Sequence, residues 1–342
     1  MKITTVGIDL AKNLFQVHGV DERGKTVLKK QLKRDQMMAF FTNLPACLIG
    51  MEACGSAHYW ANKLQRLGHT VKLMAPQFVK PYVKTNKNDV ADAEAICEAV
   101  SRPNMRFVPI KNSEQQAVLA LHRARQGFVK ARTAQANQIR GLLAEHGIII
   151  PKGIAYIGKN LPEILEDGEN GLPGSFRILI KRLGDHLKEL DRHTQELEVQ
   201  IQNWHRDSTA SRKLAKIPGI GPITASALVA SVGDAKNFEN GRQLAAWLGL
   251  VPRQNSSGGK QTLLGISKRG DSYLRTLLIH GARAVLRVAE RQAHQANSWL
   301  AGVMERRNYN VAAVALANKN ARIVWALLAH DREFEADYGA EV

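Results

Sequence analysis

Cysteine is scarce in this chain, with three in 342 residues (Cys47, Cys54 and Cys97) and no C-x-x-C pair. That excludes a disulfide framework and a zinc ribbon, and it fits a reducing cytoplasm. Eleven histidines form neither an H-x-H pair nor a Cys/His spacing suited to zinc. His58, little more than a helical turn past Glu52, reads as a surface or packing residue. The opening MKITTVGIDL lacks the apolar core of a signal peptide, and no apolar run reads as long enough to span a bilayer. A cytoplasmic protein with no membrane partner is therefore expected. Acid is in short supply too, with 31 Asp and Glu against 48 Lys and Arg, a net charge of +17. Such an excess favours a polyanionic partner, nucleic acid ahead of anionic lipid. One long stretch, between Glu114 and Glu145, has no acid at all yet carries Arg123, Arg125, Lys130, Arg132 and Arg140. It reads as a helix with a basic face for nucleic acid.

What is present falls into three parts: 1–110, 111–207 and 208–342. In the first, KITTVGIDLA, NLFQVHGV and KTVLKKQL alternate as strands, with DERGK turning between the last two. ACLIGMEAC is a buried strand ending in Glu52. The helix SAHYWANKLQRLG, the strand HTVKLMAP, a helix holding Asp89 and Asp92, and the short strand MRFVP follow. Three strands and then alternating helix and strand predict an α/β domain, a mixed sheet with helices on its faces.

In the second part, three prolines and five glycines between residues 151 and 175 mark a loop or linker. Beyond it Phe176, Ile180, Leu183, Leu187, Leu190, Thr194, Leu197, Ile201 and Trp204 recur at spacings of four and three, a coiled-coil seam. The preceding basic helix serves as its partner within the chain, or a second subunit does, so a homodimer or higher oligomer is expected. The third part is mainly helical. Its KIPGIGPITASAL resembles a helix-hairpin-helix, in which Gly219 and Gly221 let the backbone approach a phosphate and the second helix's N–H groups point at it.

Four acids stand out. Asp9 ends the first strand and Glu52 the fourth. Asp89 and Asp92 share a helical face, three residues turning about 300°. If the first and fourth strands are neighbours, Asp9 and Glu52 sit side by side, and a helix across that edge brings Asp89 and Asp92 to them. Taken singly each acid has an ordinary role: Asp9 in a turn, Glu52 paired with a lysine, Asp89 as N-cap and Asp92 in the first turn. Together they make a hard oxygen site for Mg²⁺, with Mn²⁺ as substitute. Two such ions about 4 Å apart assist phosphodiester chemistry. Lys84 and Lys87, just upstream, are placed to meet phosphates.

GIDLAKN, GMEACG and KNDVADA resemble the DEDD acidic motifs of transposases of the IS110 family of insertion sequences. IPGIGPITASAL, LAAWLGLVPRQNSSGG and ISKRGDSYLR resemble that family's C-terminal domain, so both ends of the chain match in order. The resemblance implies a RuvC-like domain of ribonuclease H fold, a long helical segment and a C-terminal transposase domain. It carries catalytic metal ligation onto Asp9, Glu52, Asp89 and Asp92, and a nucleophilic serine onto Ser257, with the adjacent Ser256 as alternative. Arg253, Lys260, Lys268 and Arg269 flank that loop and suit phosphates. A DNA transposase-recombinase is thus implied, acting on target and donor DNA and guided by a noncoding bridge RNA. Three other readings stay open: a Holliday-junction resolvase using activated water, an actin- or sugar-kinase-like ATPase, and a non-catalytic nucleic-acid-binding protein. The ATPase needs a second phosphate loop, for which EDGENGLPGS is the nearest stretch.

Overall fold

The computed structural model describes residues 2–84, 86, 88–291 and 298–335. The chain divides into two compact units, Met1–Ser113 and Glu114–Val342.

The first unit is a six-stranded sheet of order β3-β2-β1-β4-β5-β6. The strands are β1 (Thr5–Leu10), β2 (Leu14–Val20), β3 (Thr26–Lys33), β4 (Leu48–Glu52), β5 (Thr70–Met74) and β6 (Phe107–Val108). β1, β4 and β5 run parallel, while β2, β3 and β6 join antiparallel. This is the mixed sheet expected. Strand alternation builds two cores. Val6, Ile8, Phe15, Val17, Ile49 and Met51 point to one face, where they pack with α1 (Gln36–Thr42) and α2 (Ala57–Arg66). Helix α2 presents Ala57, Trp60, Ala61 and Leu64, a spacing that forms one apolar stripe. The opposite face carries α3 (Pro76–Val79) and α4 (Asp89–Val100), with Ile96, Ala99 and Val100 in a second core.

Small residues let α4 lie close to the sheet. A Cβ on Gly7 of β1 would collide with the backbone of Ala93 and Cys97, and one on Gly50 of β4 would sit 2.7 Å from Val100. With Cys97 Sγ 3.7 Å from the Thr5 carbonyl, α4 runs antiparallel to β1. Its first turn therefore reaches the end of the sheet where Asp9 and Glu52 stand.

The second unit begins with a long antiparallel hairpin of α5 (Ser113–Ala144) and α7 (Gly174–Asp207). Side chains pair along its length: Trp204 Nε1 donates to Glu114 Oε1 at 3.0 Å, Phe128 stacks on His193, and Gln135 meets His186 at 2.9 Å. The seam of α7 has its partner within the chain. Residues 151–175 are not a plain linker. They contain α6 (Ile154–Glu166), whose Ile157 and Leu161 are buried with Ile139, Leu143 and Ile180. Leu161 seats directly on Gly184, where any Cβ would block it.

The remainder is α8 (Thr209–Leu214), α9 (Pro222–Val232), α10 (Gly241–Trp247), the hairpin β7 (Pro252–Gln254) and β8 (Leu263–Ile266), α11 (Ser272–Arg291), α12 (Ser298–Arg306) and α13 (Tyr309–His330). One apolar core joins α8 to α13. By length and composition α13 could cross a membrane, which corrects the expectation that no run is long enough. Its Ala312, Ala313, Leu316, Ala317, Ala321 and Val324 are buried in that core, as in the central helix of a globular domain.

Candidate active site

Asp9 and Glu52 belong to the parallel pair β1–β4, one step past the partners Ile8 and Met51. Gly7 and Gly50, two residues earlier, face α4, so alternation turns both carboxylates to the same face. Both are half-buried. Their charges reach one atom together: burial first, then Glu52 and Asp9, push the exposed Cys54 thiol up from its ordinary value.

Asp89 and Asp92 occupy the first turn of α4, but neither caps it. The N-cap is Asn88, whose side chain accepts from the Ala91 N–H at 2.8 Å. With the cap supplied by its neighbour, Asp89 stays exposed and Asp92 half-buried at the helix end that reaches the strand acids. The backbone N–H groups of this turn favour negative charge there. Among the described residues, no three His, Cys, Asp or Glu side chains are gathered closely enough to hold a metal ion. The donor set itself, all carboxylate oxygen on one face, suits a hard divalent ion.

The basic neighbours are less uniform than their sequence. Lys84 is paired with Glu98 at 2.9 Å, and Arg102 pairs with the same carboxylate. Lys87 lies outside the described residues. His58 accepts from the Lys111 N–H at 3.2 Å, a packing role. Glu94, on the helix between the acids and the sheet core, acts electrostatically on the buried His18 of β2, whose imidazole is held below its ordinary value chiefly by burial.

In the second unit, residues 252–265 are exposed without a break. Gly258 and Gly259 have φ of +55° and +78°, and Lys260 N–H donates to Ser257 O at 3.1 Å. Two successive left-handed residues are what a type I′ hairpin turn requires, and Gly-Gly supplies them. Ser257 thus stands at the tip, while Ser256 Oγ accepts from Thr262 N–H at 3.3 Å across the hairpin. Arg253 and Lys260 are exposed beside the tip. Lys268 and Arg269 follow β8, also exposed, with Lys268 in the left-handed region at φ +54°.

The basic helix divides in the same way. Arg125 donates to Glu198 (Nε to Oε1, 2.9 Å) and Arg132 to Asp191, both on α7. Arg140 donates to the Gly153 carbonyl at 2.7 Å. These three are held by partners, leaving Arg123 and Lys130 as the exposed members of the five basic residues of α5. Gly219 packs against α11, where its Cβ would lie 2.8 Å from the Gly281 carbonyl oxygen. Gly221 has open space around it, caps α9 and precedes Pro222 at the first helical position. A buried network escapes sequence reading altogether. His122 of α5 contacts Tyr273 Oη at 3.0 Å and Ser226 Oγ at 3.1 Å, and burial holds its imidazole down at about 4.

An α/β unit with acids at adjoining strand ends, followed by a basic helical unit, defines a DEDD-type transposase once comparisons are added. A DEDD transposase family matches residues 6–148, which hold all four acids. The family described as "Transposase IS116/IS110/IS902 family" matches residues 211–297, which hold both serines. Curated relatives extend along nearly the whole chain. A probable family 20 transposase of Pseudomonas aeruginosa is 55% identical, covering 97% of this chain and 98% of its own. The transposase of insertion sequence element IS1328 of Yersinia enterocolitica is 46% identical over 95% and 96%. That of IS1111A of Coxiella burnetii is 45% identical over 97% and 91%. The chain belongs to the IS116/IS110/IS902 family of transposases, enzymes that cut and rejoin DNA. Enzymes of the DEDD class use divalent metal ions. The ATPase and non-catalytic readings fall with this result. In addition, the stretch proposed as a second phosphate loop follows helix α6, not a strand.

Proposed function

We propose that the chain is a metal-dependent DNA recombinase whose N-terminal unit has the RuvC-like ribonuclease H fold. In this reading Asp9, Glu52, Asp89 and Asp92 hold Mg²⁺, or Mn²⁺ in its place. The ions would lower the barrier by neutralising charge that develops on the phosphodiester oxygens. The observation that carries the reading is the adjacency of Asp9 and Glu52 on one face of a parallel strand pair, at the end reached by the first turn of α4.

Ser257 is the nucleophile. Its Oγ attacks phosphorus, its proton leaves to a base, and the bond to the departing sugar oxygen breaks as that oxygen gains a proton. The DNA strand is then held as a serine–phosphate ester, and a sugar hydroxyl from another strand reverses the reaction to rejoin it. The tip position of Ser257, with Ser256 engaged across the hairpin, supports this assignment. Acids and serine serve the same reaction, whether supplied by one chain or by two copies in a homodimer. The parts 1–110, 111–207 and 208–342 act as nuclease, helical arm and transposase domain. A noncoding bridge RNA selects target and donor DNA by base pairing, and Arg123 and Lys130 hold its duplex through phosphates. Gly221 and the N-terminus of α9 take a DNA phosphate, and Lys84, Lys87, Arg253, Lys260, Lys268 and Arg269 add charge for DNA phosphates.

Incubating protein, guide RNA and DNA with Mg²⁺ should yield a covalent protein–DNA adduct that disappears in Asp9→Asn. Cleavage without any adduct would replace this mechanism with the resolvase's activated water.

A further inference from the structure

An open cleft of about 650 Å³ lies in the first unit, at the same end of the sheet as the acids but on the α1/α2 side. It is walled by the β1–β2 turn (Asn13, Leu14), the end of β3 (Lys33, Arg34) and α2 (Tyr59, Trp60). None of the acids lines it. Its chemistry is aromatic and cationic at once. The Arg34 guanidinium lies 5.3 Å from the Trp60 ring centroid and is steadied by donating to the Lys12 carbonyl at 3.3 Å. Tyr59 stands edge-on to Trp60 at 5.2 Å, is 48% exposed, and has the Lys63 ammonium 5.8 Å from its ring.

Trp60 is 3% exposed, yet its indole Nε1–H has no hydrogen-bond partner among the described residues. An orphaned buried donor costs on the order of 1–3 kcal/mol. That atom is sealed from the surface, so Trp60 serves as the packed support on which Tyr59 and Arg34 are set rather than as a ligand contact.

We infer that this cleft binds one unpaired nucleotide of a nucleic-acid strand, with the base stacked on Tyr59 and its phosphate and base oxygens meeting Arg34 and Lys33. Charge selects nucleic acid over a protein segment, because Lys33 and Arg34 line the cleft with a single carboxylate, Asp35, and Lys63 lies beside Tyr59. Stacking selects an unpaired base, whose face a duplex would hide. The inference needs only a nucleic-acid substrate and stands apart from the proposed serine chemistry. Its consequence is a hold on strands opened beside the acids.

The test is fluorescence anisotropy on the full chain without divalent metal, using labelled oligo-dT, oligo-U and a duplex of equal length. Tyr59→Ala should weaken single-strand binding about tenfold and leave the duplex unchanged, with Tyr59→Phe restoring it. Lys33→Ala should weaken it severalfold and flatten its salt dependence. Comparison of oligo-dT with oligo-U tells whether the nucleotide is DNA or RNA. Equal single-strand affinity in Tyr59→Ala, Lys33→Ala and wild type overturns the inference. So does a change in sedimentation of Tyr59→Ala with unaltered binding, which would make the cleft a protein interface. Asp9→Asn, which loses cleavage under the proposed function, should bind single strands as wild type does, so the two ideas fail separately.

Discussion

Asp9 and Glu52 stand side by side across the parallel pair β1–β4, one residue beyond the Ile8–Met51 partners. They stand at the ends of their strands, Glu52 last in β4 and Asp9 next to last in β1, on the face that α4 covers. Two like charges so placed are costly without a cation between them, and under the proposed function removing either should weaken metal binding. Replacing a mere outer-shell partner of a ligand already costs about 10–100-fold in metal affinity or activity. Asp9→Asn and Glu52→Gln should therefore lose at least about a hundredfold in DNA cleavage. Titrating Mg²⁺ and Mn²⁺ against cleavage and thermal stability checks this. Raised metal requirement with unchanged folding is the expected pattern.

The close approach of α4 predicts a graded pair of stability effects. Gly7→Ala drives a methyl into the backbone of Ala93 and Cys97, which cannot turn aside. Gly50→Ala meets the Val100 side chain at 2.7 Å. Overpacking of this kind costs about 1–3 kcal/mol. Urea denaturation should put Gly7→Ala at or above the top of that range and Gly50→Ala below it. Cleavage should fall with Gly7→Ala even where it is folded, because displacing α4 moves Asp89 and Asp92.

His122 predicts a pH dependence. Burial holds its imidazole down at about 4 from 6.5, with the Arg125 charge adding to the effect. Between those values the unfolded chain takes up a proton that the folded chain refuses. Stability is therefore fully present above pH 6.5 and drains away as pH falls toward 4, by on the order of 3 kcal/mol. Urea denaturation at pH 7 and pH 5 should show the loss in wild type and a smaller one in His122→Gln.

The sheet and the position of the acids were legible because both rest on local pattern. Alternating Val6, Ile8, Phe15, Val17, Ile49 and Met51 declare one face of a sheet, and Asp9 and Glu52 sit where that alternation stops. At the start of α4, Asn88 and Asp89 are both good caps by residue type, and only geometry chooses Asn88. Helix α6 was hidden by its glycines and proline. What holds it is the docking of Leu161 on Gly184, which no local pattern announces. Counting charges likewise says nothing of partners, since those of Arg125 and Arg132 lie 73 and 59 residues away in sequence.

That partnering separates the cations of α5 by experiment. Arg123 and Lys130 are exposed, so each replaced by alanine should lower the slope of log K against log salt for nucleic-acid binding by about 0.7–0.9. Arg132→Ala should leave that slope unchanged. It should instead cost up to about 1 kcal/mol of stability, since Asp191 is partly exposed and keeps the Gln195 amide. Binding isotherms over a salt series, paired with thermal melts, distinguish the two kinds of arginine.

The two serines make opposite predictions from adjoining positions. Ser256 Oγ receives the Thr262 N–H, so Ser256→Ala removes one exposed cross-hairpin hydrogen bond. Such a loss is worth about 1 kcal/mol and loosens the tip. Cleavage should fall severalfold, with the protein–DNA adduct still formed. Ser257 sits next to two left-handed glycines and holds the turn through its backbone carbonyl, which alanine keeps. Ser257→Ala should therefore fold and bind DNA as wild type does and form no adduct at all. Ser257→Cys offers a second nucleophile at the same atom position and should form a thiol-linked adduct slowly. Denaturing gels of labelled DNA after reaction with Mg²⁺ read all three. An adduct that survives in Ser257→Ala and vanishes in Ser256→Ala would move the nucleophile one residue toward the strand.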